Sequence, residues 1–334
     1  MTKRLDIINY LKGYSIFTIV LYHLIFLFDF YDWKPIIKTA SNFGGAGVHV
    51  FILCSGFGLY LSHVNNPVSY LDFLKKRFLK VYIPYIIIIT ISALDPMSYS
   101  GNRLIAFLSH VLLFKMFIPV YEESFGTQFW FISTIIQFYI VFYILLLLKT
   151  KVGTKKYAFI SMAISLIYMI LVVFLGKSNE RVWNSFFLQY LWEFSIGMIL
   201  GEQFLSNNCL MRKIHKKSFL LAIAMFGLII TGLSGYLGGV YKIINDPFSL
   251  IGYGGLSLFV YSLNIKYLKR FFEWVCAFSY EWYLVHILVF KCGERLFNQF
   301  SPSFLIFLVV FAISIIIAIF YNRFCCKFIY NRLR

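Results

Sequence analysis

Ten apolar runs, each long enough to cross a lipid bilayer, constrain what this chain can fold into. They lie near residues 5–28, 44–62, 78–94, 128–148, 157–175, 184–203, 218–236, 248–264, 277–292 and 303–322. A helix needs about 20 apolar residues to span the hydrocarbon layer. The runs therefore predict an all-α integral membrane protein, a polytopic bundle of about ten transmembrane helices that forms a single domain over residues 1–334.

Composition supports this class and excludes others. Hydrophobic residues make up 60% of the 334 positions and charged residues only 13%, whereas a soluble domain has about half and about a quarter. The net charge of +17 would suit nucleic acid, but the Lys and Arg residues cluster between the apolar runs, as membrane-flanking charges do. The six cysteines show no metal-binding spacing. We expect a lipid bilayer around this chain, no nucleic-acid partner and no metal.

The distribution of basic residues predicts the orientation. With ten spans and a cytoplasmic N-terminus, nine of the 31 Lys and Arg residues fall outside: Lys34, Lys38, Arg103, Lys115, Lys177, Arg181, Lys242, Lys291 and Arg295. Lys12 lies within the first span, and the rest fall inside. Because cytoplasmic loops carry the excess of positive charge, we expect a multi-pass protein of the cell membrane with both termini in the cytoplasm.

An eleventh apolar stretch, near 103–120, is interrupted by His110, Lys115 and Pro119. A span there would turn the later Lys-rich loops outward, against the positive-inside rule. We therefore expect this stretch to form a re-entrant or interfacial helix on the outer side.

The first run is unusual because it carries Lys12 near its start and His23 near its end. Eleven steps of 100° return to within about 20° of the first direction, so both side chains project from one face of a helix, about 16 Å apart along its axis. Lys12 can instead reach the inner headgroups, and His23 can be a polar contact between helices. Ionisable residues inside a span are costly, however, and their shared face favours a functional role.

Five motifs resemble the acyltransferase-3 family, the membrane O-acyltransferases of bacterial surface polysaccharides. The first span has the family's Asp, basic residue and His as Asp6, Lys12 and His23, and the second has GGAGVHVFILCSGF at 44–57. The later motifs are the basic loop with its helix, the Trp-Phe pair and the Tyr-Leu-x-His segment, seen here as Arg77, Lys80, Pro84, Tyr85, Trp130, Phe131, Tyr283, Leu284 and His286. All five occur in the family's order.

Two departures from the family pattern concern charge. Lys12 and Lys80 stand where the family has Arg, and Ile135 and Ile136 stand where many relatives have a pair of Glu residues. Lys keeps the positive charge of Arg but lacks its planar fork, which binds phosphate through two parallel hydrogen bonds. The affinity for a phosphate-bearing donor substrate, or the identity of that donor, can therefore differ from the acetyl-CoA that is the commoner donor in the family.

The resemblance implies transfer of an acyl group from a cytoplasmic acyl-CoA, most commonly acetyl-CoA, to a hydroxyl of a cell-surface or lipid-linked polysaccharide. Lys12, Arg77 and Lys80 would bind the phosphates of this donor substrate. The arm of coenzyme A is about as long as the Lys12–His23 separation, so His23 would be the general base beside the thioester. No cofactor would be bound permanently. Direct attack by the acceptor is simpler than an acyl-enzyme, but the sequence leaves both open.

Three further residues are candidates for substrate binding. Trp130 can stack on a sugar ring or belong to an interfacial aromatic belt. Glu193 is an acid inside a span that needs a cation or an N–H donor as its partner, and His286 either lines the cavity of His23 or packs between helices. The other histidines are interpreted as helix contacts or loop and interface residues: His49, His63, His110 and His215.

Two alternatives belong to other classes of protein. A transporter or flippase of a lipid-linked glycan or small solute would have the same topology, although the chain lacks the internal repeat that many transporters show. A membrane sensor or scaffold would place no catalytic demand on His23. No hydrolase-like extracellular domain is recognisable in the sequence, so the acceptor step would use the bundle itself or a separate extracytoplasmic partner.

Overall fold

The computed structural model of the protein describes residues 6–28, 43–206, 216–238, 240–297 and 304–333. These residues form helices and no strands. The α-helices of nine residues or more are α1 Asp6–Leu27, α2 Gly47–Asn65, α3 Tyr70–Leu94, α4 Arg103–Val111, α5 Trp130–Val152, α6 Thr154–Phe174, α7 Leu191–Leu205, α8 Lys217–Leu237, α9 Tyr241–Ser262, α10 Lys266–Cys276, α11 Ser279–Phe297 and α12 Phe304–Phe328.

Seven stretches of described helix are long and apolar enough to cross a membrane. They comprise α1, α2 with the 3₁₀ turn before it, α3, α5 with its own preceding turn, α6, α8 and α12. The bent pair α10–α11 makes an eighth if it counts as one span. The chain is thus an all-helical, multi-pass membrane protein, as predicted, and the count of about ten spans stays a prediction.

The interrupted stretch near 103–120 is not one continuous helix. Helix α4 covers nine residues, or about 13 Å, and the 3₁₀ helices Lys115–Phe117 and Pro119–Tyr121 follow it. Leu113, between α4 and the first 3₁₀ helix, has a positive φ of 60°, which ends the helix. This stretch is not one of the seven spans, and its re-entrant or interfacial position stays a prediction.

The late basic cluster forms a helix of its own that the sequence interpretation missed. Lys266, Lys269 and Arg270 lie between the runs 248–264 and 277–292, and the structure places them on α10 instead of in a loop. Helix α10 meets α11 at an angle of 77°. The charged and the apolar residues of α10 each recur with the helical period. The sequence of this segment, taken by itself, therefore predicts an amphipathic helix.

Glycines bring the helices around α1 and α2 into backbone contact. A Cβ on Gly13 of α1 would lie 1.8 Å from the carbonyl oxygen of Phe272 on α10. A Cβ on Gly56 of α2 would lie 2.1 Å from the carbonyl oxygen of Phe194 on α7. Neither position has room for a side chain, which is the usual reason for small residues between membrane helices. The glycines of the second motif therefore serve close packing, as expected.

Ion pairs join segments that the charge pattern places on the same side of the membrane. Asp95, after α3, binds Arg295 of α11 through Oδ2 and Nη1 at 2.6 Å, and both are expected outside. Lys149 of α5 binds Glu202 of α7 at 2.5 Å, and both are expected at the inner face. The predicted topology also uses Lys3, Arg4, Lys34, Lys38, Arg212 and Lys213, which lie outside the described residues.

We expect Glu122 and Glu123 to be accessible from outside the cell, and Lys155 and Lys156 only from inside. The excess of positive charge on the predicted inner side is the physical reason. The measurement is labelling of single cysteines at positions 122 and 155 in intact cells with a maleimide that does not cross the membrane. Labelling at position 155 without labelling at 122 would mean that the orientation is reversed.

Candidate active site

A cavity of about 920 Å³ joins the residues that the sequence analysis connects with the donor and with catalysis. It lies between helices α1, α2, α3, α5, α10, α11 and α12. Its lining includes Lys12 and His23 from α1 and both Arg77 and Lys80 from α3. The two α1 side chains thus face one cavity, as their spacing predicts, with the cations at one end and His23 at the other.

His23 is in contact with the second candidate histidine. Nδ1 of His23 lies 3.1 Å from Nε2 of His286, and the ring centroids are 5.1 Å apart. His286 is fully buried and is not part of the cavity lining, whereas His23 is. The structure therefore places His286 behind His23, where it contacts that ring, and its role in substrate binding stays a prediction.

The hydrogen bonds assign the tautomer of both rings. Nδ1 of His286 lies 3.0 Å from the carbonyl oxygen of Trp282, so this nitrogen carries a proton and donates it. Nε2 of the neutral His286 ring is then an acceptor, and Nδ1–H of His23 must donate to it. Nε2 of His23 is left unprotonated, as a general base requires.

The three cations of the other end come from two helices. Nη2 of Arg77 donates to Oγ of Ser62 at 3.1 Å, and its guanidinium carbon lies 5.7 Å from the centre of the Phe73 ring. Nζ of Lys80 lies 5.6 Å from the centre of the Tyr330 ring. In the described part of the chain, no carboxylate forms an ion pair with Lys12 or Arg77. Their charges can therefore attract an anionic ligand.

A buried carboxylate also lines the cavity. Glu281 of α11 accepts hydrogen bonds from Oη of Tyr330 at 2.5 Å and from Nδ2 of Asn322 at 3.0 Å. Each of its oxygens thus has a protein donor. This arrangement joins Tyr330, whose ring lies under the ammonium of Lys80, to α11.

Trp130 and Glu193 are not part of the cavity lining. The Trp130 ring stacks on Tyr190, with centroids 5.9 Å apart, and the Arg181 guanidinium carbon lies 5.0 Å from its centre. Oε1 of Glu193 lies 2.7 Å from Nδ1 of His49, so its partner is an imidazole. These contacts are within the protein, and substrate binding by Trp130 and Glu193 stays a prediction.

His110 was interpreted as a loop or interface residue, but it is fully buried under the outer segment. Its Nδ1 lies 2.6 Å from Oη of Tyr85, and its Nε2 lies 2.9 Å from Oγ of Ser124. Lys115, only 3% exposed, donates to the carbonyl oxygens of Ser124 and Gly126 at 3.0 and 2.9 Å. His110 and Lys115, which interrupt the apolar stretch 103–120, are therefore buried polar residues with partners inside the protein.

Of the other histidines, His63 contacts the Phe142 and Tyr143 rings, and His215 lies outside the described residues.

Burial lowers the pKa of Lys115 to about 7, although Glu122 acts in the opposite direction. Unfolding restores its ordinary pKa near 10.5, so between these pH values the unfolded chain binds a proton that the folded chain lacks. Stability therefore rises with pH across this window. The neutral amine keeps two N–H donors, enough for both carbonyl oxygens.

We expect Tm to increase from pH 7 to pH 9 by at least ~2 °C more in the wild type than in Lys115→Met, as measured by scanning fluorimetry in detergent. Equal slopes in both proteins would contradict this.

The cavity also contains a residue that the sequence analysis did not select. Gln128, 4% exposed, lines the cavity together with His23. Both atoms of its side-chain amide are buried, and neither has a hydrogen-bond partner in the part of the chain that the structure describes. Its position two residues before the Trp-Phe pair was the available signal. Among the described residues, no group of three or more His, Cys, Asp and Glu is arranged to hold a metal ion.

Comparison with known proteins gives one result. A family model described as an acyltransferase domain matches residues 5–323, nearly the whole chain. No curated protein and no solved structure matches the chain. The matched range contains the five motifs and every residue of the cavity discussed above except Tyr330. The chain therefore belongs to the acyltransferase-3 family and is a membrane acyltransferase, as its motifs predict.

Proposed function

We propose that this acyltransferase transfers an acyl group, in the first instance acetyl, from cytoplasmic acyl-CoA to a hydroxyl of a cell-surface or lipid-linked polysaccharide. The observation that carries the proposal is the single cavity with Lys12, Arg77 and Lys80 at one end and His23 at the other. Family membership favours an enzyme over the transporter and the scaffold. The nature of the donor and of the acceptor is the part that requires experiment.

Coenzyme A has the chemistry to fit this cavity. Its phosphates are anions that Lys and Arg bind through charge-assisted hydrogen bonds. Its thioester is at the far end of a narrow, flexible arm. With the phosphates at the cations, the arm follows the cavity along α1 and brings the thioester to His23, about 16 Å away along the helix axis.

The reaction then needs one base and one acid, and His23 supplies both. Nε2 of His23 removes the proton from the acceptor hydroxyl while the hydroxyl oxygen bonds to the carbonyl carbon of the thioester. The carbon–sulfur bond breaks, and the same proton passes from Nε2 to the leaving thiolate. No acyl-enzyme and no net proton uptake are required, because the acceptor attacks the thioester directly.

The test is release of coenzyme A by the purified protein in detergent. Acetyl-CoA is supplied with candidate glycans, and both the free thiol and the acetylated glycan are measured. We expect thiol release that depends on the glycan and matches ester formation. Acyl-CoA consumption that is independent of any acceptor, or none with any acyl-CoA, would overturn the proposal.

A second test uses native cysteines as reporters of the donor path. Cys276 lines the cavity, whereas Cys292 is exposed and does not. In variants that retain only one of the two, coenzyme A should slow alkylation of Cys276 by a maleimide and leave Cys292 unaffected. Equal rates at Cys276 with and without coenzyme A would mean that the donor does not enter this cavity.

His286 should act as a positioning residue for His23. Replacement by Ala removes the acceptor that holds the proton on Nδ1 of His23, so we expect kcat to fall roughly tenfold, the scale of one hydrogen bond of ~1.4 kcal/mol. In His286→Asn the amide oxygen can accept the same proton, and part of kcat should return. The steady-state kcat and KM for the donor are measured for both variants. A change in KM alone, or an Asn variant no better than Ala, would contradict this role.

A further inference from the structure

The side-chain amide of Gln128 is buried and has no hydrogen-bond partner among the residues that the structure describes. Burial of a hydrogen-bonding group without a partner costs free energy, so such groups are rare unless they have a function. Gln137, nine residues later on α5, shows the ordinary case. Its Nε2 donates to Oγ of Ser133 at 3.3 Å, and its Oε1 accepts from the backbone N–H of Phe187 at 3.2 Å.

The backbone around Gln128 is held firmly. Oη of Tyr283 donates to the carbonyl oxygen of Gln128 at 2.6 Å. Nζ of Lys115 donates to the carbonyl oxygen of Gly126, whose φ of 146° is one that glycine tolerates. A Cβ on Gly126 would lie 2.5 Å from Oε1 of Gln128. These contacts hold the backbone on both sides of the Gln128 side chain, and its amide atoms have no partner in the described part of the chain.

Contacts through Tyr283 and His286 on α11 connect Gln128 with His23. Tyr283, which binds the Gln128 backbone, is one turn before His286 on α11, and their ring centroids are 6.2 Å apart. His286 in turn contacts His23. Gln128, Tyr283 and His23 all line the cavity. A thioester beside His23 is therefore also beside an amide that can donate a hydrogen bond.

We propose that the Nε2–H of Gln128 binds the carbonyl oxygen of the acyl thioester and stabilises the negative charge that develops on it. This inference rests on the proposed function. As His23 removes the hydroxyl proton and the new carbon–oxygen bond forms, the carbonyl electrons move to the oxygen, which accepts the Gln128 hydrogen bond. When the carbon–sulfur bond breaks, the carbonyl re-forms and the thiolate takes the proton from His23. A fixed donor in a site closed to water is the usual means of stabilising such an oxyanion.

The variants that test this role are Gln128→Met, which removes the amide at similar volume, and Gln128→Glu, which keeps the oxygen and loses the N–H donors at neutral pH. We expect both to lower kcat by about 10²–10³-fold with little change in KM for acyl-CoA. The Tm of Gln128→Met should be unchanged or higher, since an unpartnered buried amide contributes nothing to folding. Gly126→Ala should also lower kcat because its Cβ displaces the amide.

Gln137→Met is the matched control, because its amide has protein partners. It should lower Tm and keep kcat at equal amounts of folded protein. Three results would overturn the proposal: a wild-type kcat in Gln128→Glu, a raised KM with unchanged kcat, which would mean that the amide binds the pantetheine arm, or a Gln128→Met that fails to fold while Gln128→Glu is active. If the wild type transfers acetyl and depends on His23 while Gln128 variants keep kcat, only this inference fails and the proposed function stands.

Discussion

His23→Ala is expected to lower kcat for acyl transfer by about 10²–10⁴-fold, the usual loss when a general base is removed. His23 is the ionisable group at the end of the cavity away from Lys12, Arg77 and Lys80, and its Nε2 is the unprotonated nitrogen of the ring. No other imidazole lines the cavity in the part of the chain that the structure describes. His286, which lies behind it, cannot replace it at the thioester because its Nε2 points to His23 and its Nδ1 to Trp282.

The measurement compares glycan acetylation by wild type and variant at equal amounts of membrane-inserted protein. His63→Ala is the matched control, because His63 is also on a spanning helix but lies among Phe142 and Tyr143, away from the cavity lining. It should retain activity close to that of the wild type. Acetylation at the wild-type rate by a well-expressed His23→Ala would show that His23 is not the base.

The spanning helices, and the shared face of Lys12 and His23 on α1, could be predicted from the sequence. Long apolar runs have few alternatives to spanning helices, and the ten runs are mainly helical where the structure describes them, although residues 185 and 186 interrupt the run 184–203. The eleven-residue spacing of Lys12 and His23 fixes their shared direction within a single helix. Such an inference needs no knowledge of how helices pack against each other, and the common cavity agrees with it.

The contacts between distant segments were not readable. His23 and His286 are 263 positions apart, and their pairing depends on how α1 packs against α11. Glu193 was expected to need a cation or an N–H donor, but the sequence does not say that His49 is the nearest one. The only local mark of Gln128 is its position two residues before the Trp-Phe pair. Its significance comes from the absence of a partner in three dimensions, which periodicity and composition do not encode.

Removal of the charge of Lys12, Arg77 or Lys80 in the cavity should weaken donor binding more than it slows the chemical step. Arg77→Gln is expected to raise KM for acyl-CoA by roughly 10- to 100-fold, the range for loss of one or two charge-assisted hydrogen bonds of ~1.5–3 kcal/mol in total. The change in kcat should be smaller, because the phosphates are bound equally in the ground state and in the transition state. Acyl-CoA is titrated at constant ionic strength, since salt screens these contacts.

Arg270→Gln on α10 provides a control, because Arg270 carries the same charge, is expected at the same membrane face and is not part of the cavity lining. It should leave KM for acyl-CoA unchanged. If Lys12→Gln and Arg77→Gln also leave KM unchanged and alter only the amount of inserted protein, the cations of the cavity anchor the membrane edge and do not bind the donor.

The reverse substitutions test why this chain has Lys where the family pattern has Arg. Lys12→Arg and Lys80→Arg restore a planar fork that binds phosphate through two parallel hydrogen bonds. If the donor is an ordinary acyl-CoA, both variants should bind it as well as or more tightly than the wild type. Lys80 has a further constraint, because its ammonium lies over the Tyr330 ring and a guanidinium can stack there in its place. Loss of activity in both variants would mean that the site is shaped around lysine, so that either the donor differs or the ammonium groups act directly in the reaction.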